Sequence, residues 1–108
     1  MGVTTGDLDA LYGALADPTR RSIIERLRGG DVTVAELRAP FAMSAPAISK
    51  HLRVLEAAGL VERRPAGRHR VCRLRRDGLV EARTWLHDQT AFWDSTLDSL
   101  AEHLGEEP

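Results

Sequence analysis

Apolar residues recur at three- and four-residue intervals in five stretches of this chain and alternate with polar ones in a sixth. Leu8, Leu11, Tyr12 and Leu15 predict a first helix. Asp17-Pro18 then reads as an N-cap followed by proline at the first helical position, where its missing N–H costs nothing. Ile23, Ile24 and Leu27 form the apolar side of a second helix, which Gly29-Gly30 ends. Thr33 and Glu36 make a capping-box pattern for a short third helix reaching about Ala39, with Pro40 helping to end it. Ser44 is the next N-cap, with Pro46 in the first turn, Ile48, Leu52 and Leu55 on the inner face and Gly59 at the end.

Leu60 to Arg64 and Arg70 to Leu74 alternate as two short strands, with the turn of a hairpin at Pro65-Ala66-Gly67. Asp77 is expected to cap a final long helix. Its stripe of Leu79, Ala82, Leu86, Trp93, Leu97, Leu100 and Leu104 covers about seven turns. Residues 1–6 and 105–108 read as loose ends. Two short helices joined by a tight turn and followed at once by a basic hairpin predict a mainly α fold, the winged helix-turn-helix. The expected organisation is one domain over 1–108, with about five helices and a two-stranded wing. Its parts are 7–28 (first two helices), 33–58 (helix-turn-helix), 60–75 (wing) and 77–104 (last helix).

Length and composition agree with this. A chain of 108 residues has room for one modest core, and 43% apolar with 29% charged residues is ordinary for a globular protein. No run approaches the roughly 18 apolar residues of a membrane span, and Met1 to Asp9 is too polar for a secretory signal. Cys72 stands alone, which excludes an internal disulfide framework and fits a reducing compartment. The expected location is the cytoplasm.

The net charge of −1 conceals a strong asymmetry. Every one of the 15 basic residues lies between Arg20 and Arg83, against seven acids in the same window, leaving +8. The residues before that window carry −3 and those after it −6. A basic middle between acidic ends suggests one surface facing a polyanion and a second surface with another task.

The helix opened by Ser44 is the candidate for reading that polyanion. Its outward residues are Ala45, Ala47, Ser49, Lys50, His51 and Arg53. Small residues in the first turns, Pro46 among them, let the helix end enter a duplex major groove about 12 Å wide. Ser49 and His51 can bond to base edges or phosphates, Lys50 and Arg53 supply charge, and the helix dipole favours a phosphate near Ser44. The hairpin adds seven arginines within 14 residues, among them Arg63, Arg64, Arg68 and Arg70. Arg68, His69 and Arg70 sit at or beside its tip, within reach of a minor groove or flanking phosphates. The apolar stripe of the last helix, with Phe92, exceeds what four short helices can cover, so a two-fold dimer is expected.

The run LADPTRRSIIERL from Leu15 to Leu27 resembles the first two helices of ArsR-type repressors. FAMSAPAISKHLRVLEAAGLV from Phe41 to Val61 resembles their turn and recognition helix, and ERRPAGRHR from Glu62 to Arg70 their wing. The resemblance covers roughly Leu11 to Trp93. It implies a homodimer that binds double-stranded DNA at a palindromic operator and represses transcription. It also implies a dimer contact made by the first and last helices, here Leu11, Leu15, Leu86, Phe92, Trp93, Leu97 and Leu100. Many ArsR relatives sense metals through a cysteine pair before the turn or Asp and His ligands on the last helix. Here Val34 to Phe41 holds no cysteine, and Trp85 stands where an Asp-x-His pair would need its carboxylate. His87 and His103 lie sixteen residues apart, so no metal or other cofactor is expected within one chain, which leaves open only a pairing of His87 with Asp98, Glu102 or His103 across two antiparallel last helices. Cys72 reads as a small buried residue more readily than as a reactive thiol. No catalytic constellation is visible, so an enzyme is not expected. The competing reading is a dimeric interaction module whose basic hairpin binds an acidic protein or RNA.

Overall fold

The computed structural model describes residues 5–105, with side-chain environments from Leu8 onward. The expected loose ends at 1–4 and 106–108 lie outside the described residues. Thr5, Gly6 and Gly105, read as loose from sequence, fall inside the first and last helices. The elements run α1 (Thr5–Leu15), α2 (Pro18–Leu27), β1 (Val32–Thr33), α3 (Val34–Arg38), α4 (Ala45–Ala57), β2 (Val61–Ala66), β3 (His69–Leu74) and α5 (Arg76–Gly105).

The helix starts follow the capping chemistry read from the sequence. Asp17 accepts the Arg20 N–H at 3.0 Å and Ser44 Oγ accepts the Ala47 N–H at 3.2 Å. At α3 the capping box is complete: Thr33 Oγ1 accepts the Glu36 N–H at 3.1 Å, and Glu36 Oε1 reaches back to the Thr33 N–H at 3.4 Å. Gly59 ends α4 at φ +74, the left-handed conformation that costs other residues a Cβ clash. Asp77 is not the cap of α5. That helix begins at Arg76, and Asp77 sits in its first turn, where it pairs with Arg75 at 3.1 Å and favours the positive end of the helix dipole.

The sheet departs from expectation in two ways. It has three strands, in the order β1-β3-β2, all antiparallel. β1 pairs Val32 with Cys72 and Thr33 with Val71, so Thr33 closes a strand and caps a helix at once. A two-residue strand has no alternation to detect, which is why periodicity missed it. The hairpin turn is Gly67-Arg68 rather than Pro65-Ala66-Gly67, because Ala66 pairs with His69 and Pro65 with Arg70. Gly67 takes φ +62 and no described non-glycine residue has positive φ, the pattern of a II′ rather than a I′ turn. Pro65 is tolerated inside β2 because β2 is an edge strand.

Leu11, Ile23, Leu37, Ile48, Leu52, Leu55, Leu60 and Cys72 are fully buried and form one core under α1 to α4 and the sheet. Each aliphatic side chain buried this way contributes about 1.5–3 kcal/mol, so the inner face of α4 holds that helix firmly to the body. Leu11, expected at a dimer contact, is only 1% exposed and belongs to this core. Leu15 is half-buried against the same core. Neither offers an outward apolar face like that of the last helix.

Among the described residues, that helix joins the body by its first turns. Gly78 and Ala82 are buried, Tyr12 Oη donates to the Ala82 carbonyl at 2.9 Å, and the Tyr12 and Trp85 rings meet edge to face at 6.0 Å. Gly78 is required here by space: a Cβ would lie 2.9 Å from the Gly59 carbonyl oxygen. Beyond Leu86 the helix leaves the body. Its 30 residues span about 45 Å. The radius of gyration is accordingly 19.2 Å, against about 13 Å for a compact chain of this length.

Candidate nucleic-acid interface

Residues around the helix-turn-helix carry the fixings that aim α4. Arg38 Nε donates across the turn to the Met43 carbonyl at 3.1 Å, tying α3 to the start of α4. Arg20 reaches back to the end of α1, donating from Nε to Ala14 O at 2.7 Å and from Nη2 to Gly13 O at 3.0 Å. Arg21 does the same for Leu15 O at 2.8 Å. The carbonyls at a helix C-terminus have no partners within the helix, and cations there are favoured by the dipole as well. The N–H of Arg20 is the first of the causes that hold the Asp17 carboxyl below its usual range.

The outer face of α4 starts with small side chains. Ser44, Ala45 and Pro46 are exposed and Ala47 is half-buried. Lys50 and Arg53 are exposed, and no carboxylate among the described residues lies within bridging distance of either. Ser49 is half-buried and lines a groove of about 360 Å3 with Thr33, Val34, Ala35, Arg63 and the wing-tip residues Arg68, His69 and Arg70. The start of α3, the middle of α4 and the hairpin tip thus open onto one concavity.

Two of the expected contact residues already have carboxylate partners within the chain. Arg63 is only 16% exposed in its side chain and lies 2.7 Å from Glu56 of α4, so its charge is already neutralised. The pair links β2 to α4. Arg64 is exposed but bonded to Glu62 at 2.8 Å on the same strand, which lowers the Glu62 carboxyl below its usual range. Arg75 is similarly paired with Asp77. Of the seven hairpin arginines, Arg68, Arg70, Arg73 and Arg76 have no carboxylate partner among the described residues. The free positive charge is therefore smaller than the sequence count suggested, and part of it is concentrated at the tip.

His51 is not a free side chain either. Its Nδ1 lies 3.3 Å from Arg20 Nη1 and 4.0 Å from Asp17 Oδ2, turning one edge of the ring toward the start of α2. Arg20 was not among the expected site residues. Its partners stand 6, 7 and 31 positions away, and no periodicity links such separations.

On α5 the residues Leu86, Phe92, Trp93, Leu97, Leu100 and Leu104 are between 50% and 62% exposed. Leu86, Thr90, Trp93, Leu97, Leu100 and Leu104 are spaced four, three, four, three and four, the period of a two-helix seam. The hydroxyl of Thr90 donates to the Leu86 carbonyl at 2.9 Å, so this polar seam position carries no orphan donor. Cys72 is buried, and burial pushes its thiol above its ordinary pKa despite the nearby Arg63. A thiolate, the reactive form, is disfavoured there. Among the described residues no group of three or more His, Cys, Asp or Glu is placed to hold a metal ion, and no helix is long and apolar enough to cross a membrane.

The helix-turn-helix domain family matches residues 15–64. The HTH-type transcriptional regulator Rv2034 of Mycobacterium tuberculosis is 44% identical over 99 residues, covering 92% of this chain and 90% of the relative. The transcriptional repressor SdpR of Bacillus subtilis is 32% identical over 79 residues, covering 73% of this chain and 88% of the relative. Among solved structures, the ArsR family transcriptional regulator RHA00566 superimposes with a TM-score of 0.82 at 37% identity, over 88% of this chain and 98% of that one. The homodimeric winged helix-turn-helix DNA-binding domain of Mb0332 from Mycobacterium bovis gives 0.63 at 26% identity, over 91% and 84%. These relatives are regulators rather than enzymes, and the fold is theirs: this chain belongs to the ArsR-type family of winged helix-turn-helix transcriptional regulators.

Proposed function

We propose that the chain is a repressor that binds a palindromic duplex operator as a homodimer, with α4 in the major groove and the wing tip on the flanking backbone or minor groove. The observation that carries this reading is the shared groove. It sets Ser49 of α4 beside Arg68, His69 and Arg70, so one surface offers a base-reading hydroxyl and unpaired cations together. Ser44, Ala45, Pro46 and Ala47 line the approach, and Lys50 and Arg53 supply phosphate contacts. Arg63, which lines the groove, acts chiefly as a strap on α4 through Glu56, and Arg64 as a rim charge. The domain is read as one body over 1–108, with 77–104 as the dimer helix. Its working place is the cytoplasm, where its duplex target lies.

The dimer contact runs along Leu86, Trp93, Leu97 and Leu100, flanked by Phe92. Exposed leucines and aromatics on a helix that leaves its own body have no other cover among the described residues. A two-fold pair would double the phosphate contacts and match a two-fold site.

Footprinting on the DNA upstream of the chain's own gene, with a salt titration, tests the reading. A repressor protects one two-fold site, and log K falls with log salt by about 0.9 per phosphate contact. Ser49→Ala is expected to weaken specific binding far more than non-specific binding. Binding without a preferred duplex would favour the basic-hairpin interaction module instead.

A further inference from the structure

The hydrogen bond between Arg20 and His51 determines the polarity of His51. Arg20 has only donors, so wherever a guanidinium N–H bonds to an imidazole nitrogen, that nitrogen must be the acceptor. At 3.3 Å the partner of Nη1 is Nδ1, so the neutral ring carries its hydrogen on Nε2. The competing arrangement, Nδ1–H donating to Asp17, is ruled out by distance. Asp17 Oδ2 is 4.0 Å from Nδ1, beyond hydrogen-bond reach.

The guanidinium that makes this choice is itself immobilised. Nε and Nη2 are held by the last carbonyls of α1, and those two bonds place Nη1 against α4. The His51 side chain keeps 21% of its surface exposed. Its Nε2 has no partner among the described residues and is not sealed from solvent. We infer that Arg20 is a positioning residue for DNA reading: it clamps His51 in the Nε2–H form, so that α4 presents a hydrogen-bond donor of fixed direction to an acceptor on the duplex. The acceptors available in the major groove are purine N7, guanine O6 and thymine O4, together with phosphate oxygens. This rests on α4 being the DNA-reading helix.

Long-range proton–nitrogen correlation NMR on the full chain reads the tautomer without DNA, at a pH where the ring is neutral. The expected pattern is protonated Nε2 and bare Nδ1 at His51, changing to a mixture in Arg20→Lys, which keeps the charge but loses the planar fork. A bare Nε2 in the wild-type protein, or an unchanged tautomer in Arg20→Lys, overturns the clamp. Should Arg20→Lys fail to fold, the His51 variants leave the contacts with α1 intact. His51→Gln places an amide N–H where Nε2–H stood, whereas the shorter His51→Asn can satisfy Arg20 but not the duplex. On a duplex fragment from upstream of the gene, His51→Gln should keep its preference over random duplex within about threefold, and His51→Asn should lose about tenfold per half-site, the worth of one hydrogen bond, or about a hundredfold for the dimer. Equal behaviour of the two variants overturns the donor role. A wild-type protein with no preferred duplex takes the donor role down with the recognition-helix reading, while the NMR pattern still decides the clamp.

Discussion

Replacing Trp93 by alanine is expected to weaken self-association without unfolding the winged-helix body. Trp93 stands on the part of α5 that has left the core, where it meets the Phe92 ring edge to face with ring centres 5.6 Å apart. A tryptophan side chain presents about 150–250 Å2 of surface, so at 60% exposure it offers on the order of 90–150 Å2 to a partner. At about 25 cal/mol per Å2 this is worth about 2–4 kcal/mol for each protomer. A second helix covers one side of an exposed ring, so about half of that area is removed from water, and two-fold symmetry counts the loss twice. The net penalty is about 2–4 kcal/mol per dimer, or about 30- to 700-fold in Kd. Sedimentation equilibrium over a concentration series reads this directly, with far-UV circular dichroism to confirm an intact body. Glu102→Ala, two residues from both Leu100 and Leu104 and so on the opposite side of the helix, should leave Kd unchanged. An unaltered Kd for Trp93→Ala with normal helicity would move the dimer seam off α5.

Three further outcomes follow from particular contacts. Arg68→Ala should reduce the salt slope of DNA binding by about two for a dimer, while Arg64→Ala, whose charge is held by Glu62, should change it less; equal changes would contradict the pairing. Gly78→Ala should destabilise the fold by about 1–3 kcal/mol in urea unfolding, because its Cβ would meet the Gly59 carbonyl. Helix propensity alone gives the opposite sign, so a stabilised variant would refute the packing argument. Burial raises the Cys72 thiol pKa, so the folded chain keeps a proton that the unfolded chain releases. Stability should therefore fall as pH rises past the unfolded thiol value of about 8.5. Urea unfolding of the wild-type protein and Cys72→Ala across that range checks this, and parallel curves would remove the thiol as the cause.

The helices were legible because their signals are local. Asp17, Thr33 and Ser44 cap within three residues of themselves, and Ile48, Leu52 and Leu55 repeat at the period of one helix face. The wing was half legible. Alternation showed two strands, but the loop was misplaced because proline suggested a turn where an edge strand tolerates it. Strand β1 was hidden, since two residues become a strand only when β3 arrives to pair with them.

The amino-acid order by itself determined which segments are helical, which faces are apolar and where the positive charge is concentrated. All of these depend on neighbours a few positions apart. Only the tertiary structure decided which of those charges are free. Arg63 is matched by Glu56 and Arg20 is consumed by α1 and His51, whereas Arg68 and Arg70 stay open. It also decided that Leu11 is core while Trp93 faces outward, although both sit on apolar helical stripes. Periodicity shows that a helix has an apolar side, but what that side meets depends on where the rest of the chain packs.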